Sequence, residues 1–162
     1  MGAYRSGGEV VGDDLDNENV LMRRFIDIVF SAVGIVLSLP LLLLLFVAGY
    51  LDTGAPIFRQ PRVGRDLQPF TIIKFRTMRP DTQWGATHLA DISAVTPLGR
   101  FLRRTKLDEL PQLWNVLKGE MSMVGPRPGL VSQIELLNSR KKYGVFAMRP
   151  GITGLAQVNG ID

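Results

Sequence analysis

Apolar and polar positions follow three rhythms along the chain: one long unbroken apolar run, two short stretches of alternation, and several stretches at helical spacing. The run comes first. Between Asp27 and Asp52 no side chain is charged, so Ile28–Leu51 is continuously uncharged over 24 residues. A membrane-spanning helix needs about 20. Pro40 sits at the middle of the run, with Ser38 just before it. Proline removes a helix hydrogen bond and kinks the helix. Each half then reaches roughly half the hydrocarbon thickness. Arg23 and Arg24 precede the run, and Arg59, Arg62 and Arg65 follow it. Basic flanks tend to stay cytoplasmic, so basic residues at both ends favour a re-entrant helix-break-helix over residues 20–54. A straight, Pro-kinked span is the other reading. In either form the carbonyls freed near Pro40 need partners, and the Ser38 hydroxyl is a nearby candidate.

Beyond the run, residues 55–63 and 69–76 are short and rich in β-branched and aromatic side chains, with Gly64-Arg65-Asp66 as a turn between them. This predicts a β-hairpin. Residues 80–97 lack periodicity and read as a loop with room for a short helix. Leu98–Leu107 is a short amphipathic helix, with Leu98, Phe101 and Leu102 against Arg100, Arg103 and Arg104. Leu110, Leu113, Trp114 and Leu117 recur at helical spacing, and Gly119 is a natural stop. Met121–Val124 reads as a strand ending at Gly125-Pro126. Leu130–Tyr143 is a further amphipathic helix with a basic end, and residues 149–160 are turn-rich. The expected fold is an α/β (α+β) small membrane-associated domain. It divides into a disordered acidic lead-in at 1–19, the membrane helix at 20–54, and a cytoplasmic catalytic domain at 55–162.

Composition narrows the chemistry. The net charge is +4, unevenly spread: residues 1–22 carry Arg5 against Glu9, Asp13, Asp14, Asp16 and Glu18, and the body after the run is basic. A basic body beside a hydrophobic anchor suits anionic headgroups or phosphate substrates. Nucleic acid is not an expected partner, because no zinc spacing or RNA-binding signature is present. There is no cysteine, which excludes disulfides and cysteine-based metal sites, and the single His88 rules out a multi-histidine site. Trp84, Trp114 and His88 read as packing or loop residues.

The candidate site is the adjacent pair Asp108-Glu109, which lies among Arg100, Arg103, Arg104 and Lys106, with Arg127 further on. Carboxylates within a cluster of cations fit a place where phosphate is bound and attacked. Pro111 suits a first helical turn, so the helix is expected to start near Asp108, where the positive helix end keeps a carboxylate ionised. A plain helix cap is the alternative for a lone Asp-Glu. Adjacent helical residues point about 100° apart, so the pair is expected to divide into two roles. Arg127 is held between Pro126 and Pro128, which suits a fixed guanidinium facing phosphate oxygens. Lys74 and Arg76 share one strand face. A solvated edge strand explains that pair equally well.

These stretches together resemble the bacterial sugar transferases, monotopic phosphoglycosyl transferases acting on polyprenyl phosphate. The resemblance covers about residues 21–160. It rests on the Arg-flanked apolar run with Pro40, RVG at 62–64, KFRTM at 74–78, TPLGRFLRRTKLDELPQLWNVLKGEMSMVGPRP at 96–128 and RPGITGLAQVNG at 149–160. It implies a re-entrant membrane helix with its break at Ser38 and Pro40, and a Mg²⁺ ion held by Asp108 and Glu109. It also implies transfer of a sugar phosphate from a UDP-sugar to polyprenyl (undecaprenyl) phosphate, the first membrane step of exopolysaccharide or other glycoconjugate synthesis. Asp108 would be the nucleophile, forming a phosphosugar-aspartyl intermediate as UMP leaves. Glu109 would act near the metal or in proton handling. The phosphate-site arginines fall on Arg103 and Arg127, with Lys74, Arg76 and Arg149 as further phosphate contacts. The implied setting is the cytoplasmic face of the bacterial inner membrane, with membrane lipid as a partner and a homodimer as one allowed assembly. Two departures stand out: family members usually continue past the equivalent of Gly160, and Lys106 stands where a small hydroxyl residue is common. A chain shortened at its C-terminus would have, as its alternative role, that of a membrane-bound binding module.

Overall fold

The computed structural model of the protein describes residues 9–82 and 92–159, and for residues 9–18 and Ala156 the backbone alone. Trp84, His88 and most of the loop expected at 80–97 lie outside the described residues, as do residues 1–8. The fold mixes helix and strand, and one long apolar helix leads it. That helix, α1 (Glu9–Thr53), runs through Pro40 as a single element. It begins inside the acidic stretch expected to be disordered; Glu9, Asp13 and Asp14 sit near its N-terminus, where negative charge is favoured. Ser38 Oγ donates to Gly34 O at 2.6 Å and reaches Ile35 O at 3.4 Å. This is the back-bonding geometry of a helical hydroxyl, and it serves carbonyls other than the one proline frees four residues before it.

α1 is long and apolar enough to cross a membrane by length and composition. Its outward residues are bare: Leu37 is 76% and Leu51 80% exposed. Its sheltered residues form one stripe at three- and four-residue steps: Arg24, Asp27, Ser31, Gly34, Ser38, Leu42, Leu45 and Gly49. Those steps are what a helix needs to keep one face on a partner. The stripe continues on both sides of Pro40, so both halves of α1 lie against the same body.

The body is built on the expected hairpin. β1 (Ile57–Val63) and β2 (Pro69–Phe75) pair antiparallel, with Arg59 opposite Ile73 and Val63 opposite Pro69. α2 (Pro97–Thr105) is capped by Thr96, whose hydroxyl accepts from Gly99 N at 2.9 Å. α3 (Gln112–Lys118) ends at Gly119, whose φ of 88° supplies the left-handed turn. β3 (Ser122–Val124) and β5 (Gly151–Thr153) pair in parallel, and α5 (Leu155–Val158) follows β5. The turn-rich reading of 149–160 missed both late elements. β4 (Gly129–Leu130) joins the free edge of β1, so the helix expected from Leu130 starts later, as α4 (Ile134–Lys142).

Two small cores hold these pieces. Leu45 of α1, Phe75 of β2 and Leu102 of α2 form one, with Leu42, Ile57, Leu98 and Leu107 packed around it. Ile72, Val116 and Met121 form the other, with Phe70, Met123 and Ile152. Asn115, fully buried, joins α3 to the sheet: it accepts from Ile73 N at 3.1 Å and donates to Thr71 O at 2.8 Å and Glu120 Oε2 at 2.7 Å. Truncation would leave buried backbone groups without partners, at about 1–3 kcal/mol each. Asn115→Ala is therefore expected to destabilise the protein by about 2–4 kcal/mol, measured as a lowered midpoint in denaturant or thermal unfolding. A change within a few tenths of a kcal/mol would show that the contact is dispensable.

Candidate active site

Lys106 decides where the dyad sits. Its φ of 60° is left-handed, which ends α2 and starts a separate 3₁₀ turn over Leu107–Glu109. Asp108 and Glu109 are in that turn and not in the first turn of α3, which begins only at Gln112, after Pro111. The expected helix start near Asp108 is thus off by one element, because the backbone reverses at Lys106. Leu107 packs on the Leu45–Phe75–Leu102 core, so the residue before Asp108 is anchored in the core that α1, β2 and α2 share. Asp108 is only 6% exposed, and its Oδ1 is buried without a hydrogen-bond partner.

Cations surround the pair. Lys74 on β2 and Arg103 on α2 both act electrostatically on Asp108, and Arg127 acts on Glu109. Arg103 is aimed by Thr77, whose Oγ1 accepts from its Nε at 2.9 Å. That contact requires α2 to lie on the strand exit: a Cβ on Gly99 would fall 2.0 Å from Thr77 O. The Pro126-Arg127-Pro128 loop is fixed as closely. Gly151 N donates to Pro126 O at 3.0 Å, and Gly125 N to Thr153 O at 2.9 Å. Arg140 of α4 also donates to the Arg127 carbonyl.

Beside the dyad is a small cleft, open to solvent, lined by Arg62, Lys74, Glu109, Gln112, Arg127 and Gln157 among others. Burial raises the Asp108 carboxyl above its ordinary range; Lys74, a backbone hydrogen bond, Arg103 and Lys106 oppose that rise. Burial also raises Glu109, with Asp108 adding to the effect and Arg127 opposing it most. Burial lowers Lys74, the two carboxylates pull it back up, and Arg62 and Arg127 add to the lowering. Burial, and then the charge of Arg127, bring Arg62 down to about 10. It stays a cation at neutral pH.

Of the residues expected to bind phosphate, Lys74, Arg103 and Arg127 gather around the dyad. Arg76 and Arg149 are engaged elsewhere. Arg76 Nε donates to Ala55 O at 2.8 Å, and Arg149 Nε to Gly119 O at 3.0 Å, at the far end of α3. Arg62, Gln112 and Gln157 line the cleft without having been singled out. The hairpin register held the signal for Arg62: with Phe58 opposite Lys74 and Arg62 opposite Phe70, alternation puts Arg62 and Lys74 on one face. Among the described residues no three metal-ligating side chains cluster. Mg²⁺ is commonly held by one or two carboxylates together with substrate phosphates and water. A dyad with an unpartnered buried oxygen fits that mode.

The family model for bacterial sugar transferases matches residues 18–162. The chain belongs to this family. An uncharacterized sugar transferase of Haemophilus influenzae is 41% identical over an alignment covering 86% of this chain and 33% of that protein. A UDP-glucose:undecaprenyl-phosphate glucose-1-phosphate transferase of Klebsiella pneumoniae is 44% identical, covering 90% and 32%. The enzyme of the same name from Caulobacter vibrioides is also 44% identical, covering 87% and 55%. The chain spans about a third of the length of the first two of these relatives and about half of the third.

A buried carboxylate raised by desolvation works against folding once ionised. At pH below the ordinary Asp range, Asp108 is protonated in both folded and unfolded chains and costs nothing. As pH rises through the unfolded and then the raised folded value, stability is lost. Asp108→Asn removes that loss. The variant is expected to melt about 2–4 °C above the parent at pH 7, on the order of 1 kcal/mol, with the gap closing in acid. A lower melting point at pH 7 would contradict the assignment of Asp108 as a desolvated carboxylate.

Proposed function

We propose that this chain transfers a sugar 1-phosphate from a UDP-sugar to polyprenyl phosphate, with Asp108 as the nucleophile. The observation that carries this reading is the buried Asp108 Oδ1, left without a hydrogen-bond partner among cations. An oxygen so placed has an unused lone pair and positive charge at hand for an incoming phosphate. The family match and the relatives' printed names supply the substrate class: UDP-glucose and undecaprenyl phosphate for the Klebsiella and Caulobacter proteins, and a UDP-galactose-lipid carrier for one from Erwinia amylovora.

Two phosphate anions repel, so direct attack of the lipid phosphate on the donor is slow. A covalent intermediate divides the reaction into two displacements. In the first, an Asp108 oxygen attacks the sugar-bearing phosphorus, the bridging P–O bond breaks, and the electron pair leaves with UMP. In the second, an oxygen of the lipid phosphate attacks the same phosphorus and the P–O bond to Asp108 breaks. This yields polyprenyl diphosphate sugar and frees the carboxylate. Arg103, Lys74 and Arg127 offset charge on the phosphate as it transfers. Bound Mg²⁺, held by Asp108 and Glu109, would supply Lewis-acid polarisation of the phosphate oxygens.

The packing of α1 supports a reading of the setting. Its stripe meets the body both before and after Pro40. A straight span would have to carry β2 and α2, with their Lys74, Arg103 and Arg104 charges, toward the far side of the bilayer. We therefore read α1 as re-entrant, with the body on the cytoplasmic face of the inner membrane and the dyad at headgroup height. Polyprenyl phosphate presents its phosphate there.

The test is UMP release from a panel of UDP-sugars with polyprenyl phosphate in detergent or nanodiscs. Turnover is expected to follow ping-pong kinetics, with UMP released from donor alone in one stoichiometric burst. Asp108→Asn is expected to lose at least about a thousandfold in rate. Sustained release without lipid would instead mean a phosphohydrolase, and full turnover by the Asn variant would remove Asp108 from the chemistry. The nucleophile must be ionised and its carboxyl is raised. The acid limb of the kcat/KM profile is accordingly expected above the ordinary aspartate range, with activity rising as pH passes through it.

A further inference from the structure

Among the described residues three buried side-chain polar atoms lack a hydrogen-bond partner: Arg62 Nε, Asp108 Oδ1 and Gln157 Oε1. Two of the three belong to residues of one cleft, and the third is next to it in the chain. Arg62 and Gln157 line the cleft, and Asp108 adjoins Glu109, which lines it too. Buried polar atoms are nearly always satisfied, so orphans in residues at a cleft point to what a ligand must supply. The Asp108 oxygen belongs to the nucleophile. The other two are unassigned.

Arg62 is held rigidly but not neutralised. Its two terminal nitrogens are engaged by neutral acceptors: Nη1 donates to Pro128 O at 3.1 Å and Nη2 to Gln60 Oε1 at 2.7 Å. No carboxylate lies within ion-pair distance of it among the described residues. The charges of Arg127 and Lys74 bear on the same space. A guanidinium fixed at two points, with its buried Nε–H unpaired, in a residue that lines an electropositive cleft is arranged for an anionic oxygen.

Two anions enter the proposed reaction, the donor diphosphate and the lipid phosphate. Gln157 separates them. Its Nε2 donates to Ile152 O at 3.0 Å, which fixes the amide so that Oε1 is the free end. That oxygen needs an O–H or N–H. Beyond its phosphate, polyprenyl phosphate is hydrocarbon, whereas a nucleotide sugar has hydroxyl and imide donors. We propose that Arg62, through its Nε–H, binds the diphosphate of the nucleotide-sugar donor, and that the Arg62–Gln157 end of the cleft is the donor half of the site. This assignment rests on the transferase reading above.

The experiment measures binding of UDP, and separately of a short-chain polyprenyl phosphate, to the full chain in nanodiscs by calorimetric titration. Arg62→Gln is expected to weaken UDP binding about tenfold or more, the usual scale of one lost charge-assisted hydrogen bond, and to leave the lipid phosphate within about twofold. Arg62→Lys, which keeps the charge but loses the fork, is expected to fall between parent and Gln variant. Thermal melting of both variants separates loss of the Pro128 contact from loss of the ligand: a folded Gln variant with parental UDP affinity overturns the assignment. Selective loss of lipid phosphate also overturns it and gives Arg62 to the acceptor. If the parent binds no UDP, the transferase reading itself fails, and this inference with it.

Discussion

Arg24 and Asp27 join the apolar helix to the body, and the position of everything else depends on that join. Arg24 donates to Val116 O at 2.7 Å and Leu117 O at 2.8 Å, the carbonyls that close α3. Val116 O also accepts from the cap residue Gly119 N at 2.9 Å, so Arg24 adds donors at a helix end whose carbonyls lack full helical pairing, and a cation there meets the negative end of the helix dipole. One turn later, Asp27 is 5% exposed and accepts from Ser122 Oγ at 3.0 Å and Met123 N at 2.9 Å. Two charges at the edge of a membrane segment would be costly if left bare; each is matched here by oriented backbone or hydroxyl groups. Arg149 adds a donor at Gly119 O, beside the same helix end. α3 follows directly on the dyad turn, so the apolar helix α1, α3 and Asp108 form one mechanical unit. The core of Leu45, Phe75 and Leu102, on which Leu107 packs, makes a second attachment from the other half of α1.

That unit accounts for a site working against its own stability. Asp108 and Glu109 are both raised by burial, and Lys74 and Arg62 are both lowered by it. Lys74 and Arg62 form no close ion pair with Asp108 or Glu109; the two salt bridges among the described residues join Arg65 to Asp66 and Lys118 to Glu120. Closing the cleft with direct pairs would satisfy the protein and leave nothing for a phosphate. The stability forgone is supplied by the Asn115 network and the two apolar cores, one of which reaches the cleft wall through Ile72 and Ile152.

The parts of this fold legible in the sequence are those fixed by neighbours along the chain. The apolar run, the hairpin across Gly64, and the Gly119 stop each depend on a few adjacent residues, and each is found where the pattern puts it. The dyad and Arg127 were recognisable because cations and prolines surround them in sequence. Placement failed wherever one residue or one distant pairing intervened. Lys106 in a left-handed conformation shifted the dyad out of α3, and no local pattern announces a lysine there. β3 lies within the strand read at Met121–Val124, but β5, which pairs with it in parallel across some 25 intervening residues, is a three-residue strand with too little periodicity to be read alone.

What the sequence determined by itself, then, was the kind of molecule: an apolar helix flanked by arginines, a basic body, and two carboxylates among cations, in the order of a known family. Tertiary structure alone decided which cations meet those carboxylates. Lys74 and Arg76 look alike on one strand, yet one faces the dyad and the other is spent on the carbonyl of Ala55. Arg62, which by sequence was only a flank of the membrane run, was brought beside Lys74 by strand register and beside Arg127 by the addition of β4 to the sheet. The physical reason is range. Helix propensity, capping and turns are settled within a few residues, whereas an anion site is a sum of charges from distant segments, and only packing sets the distances on which that sum depends.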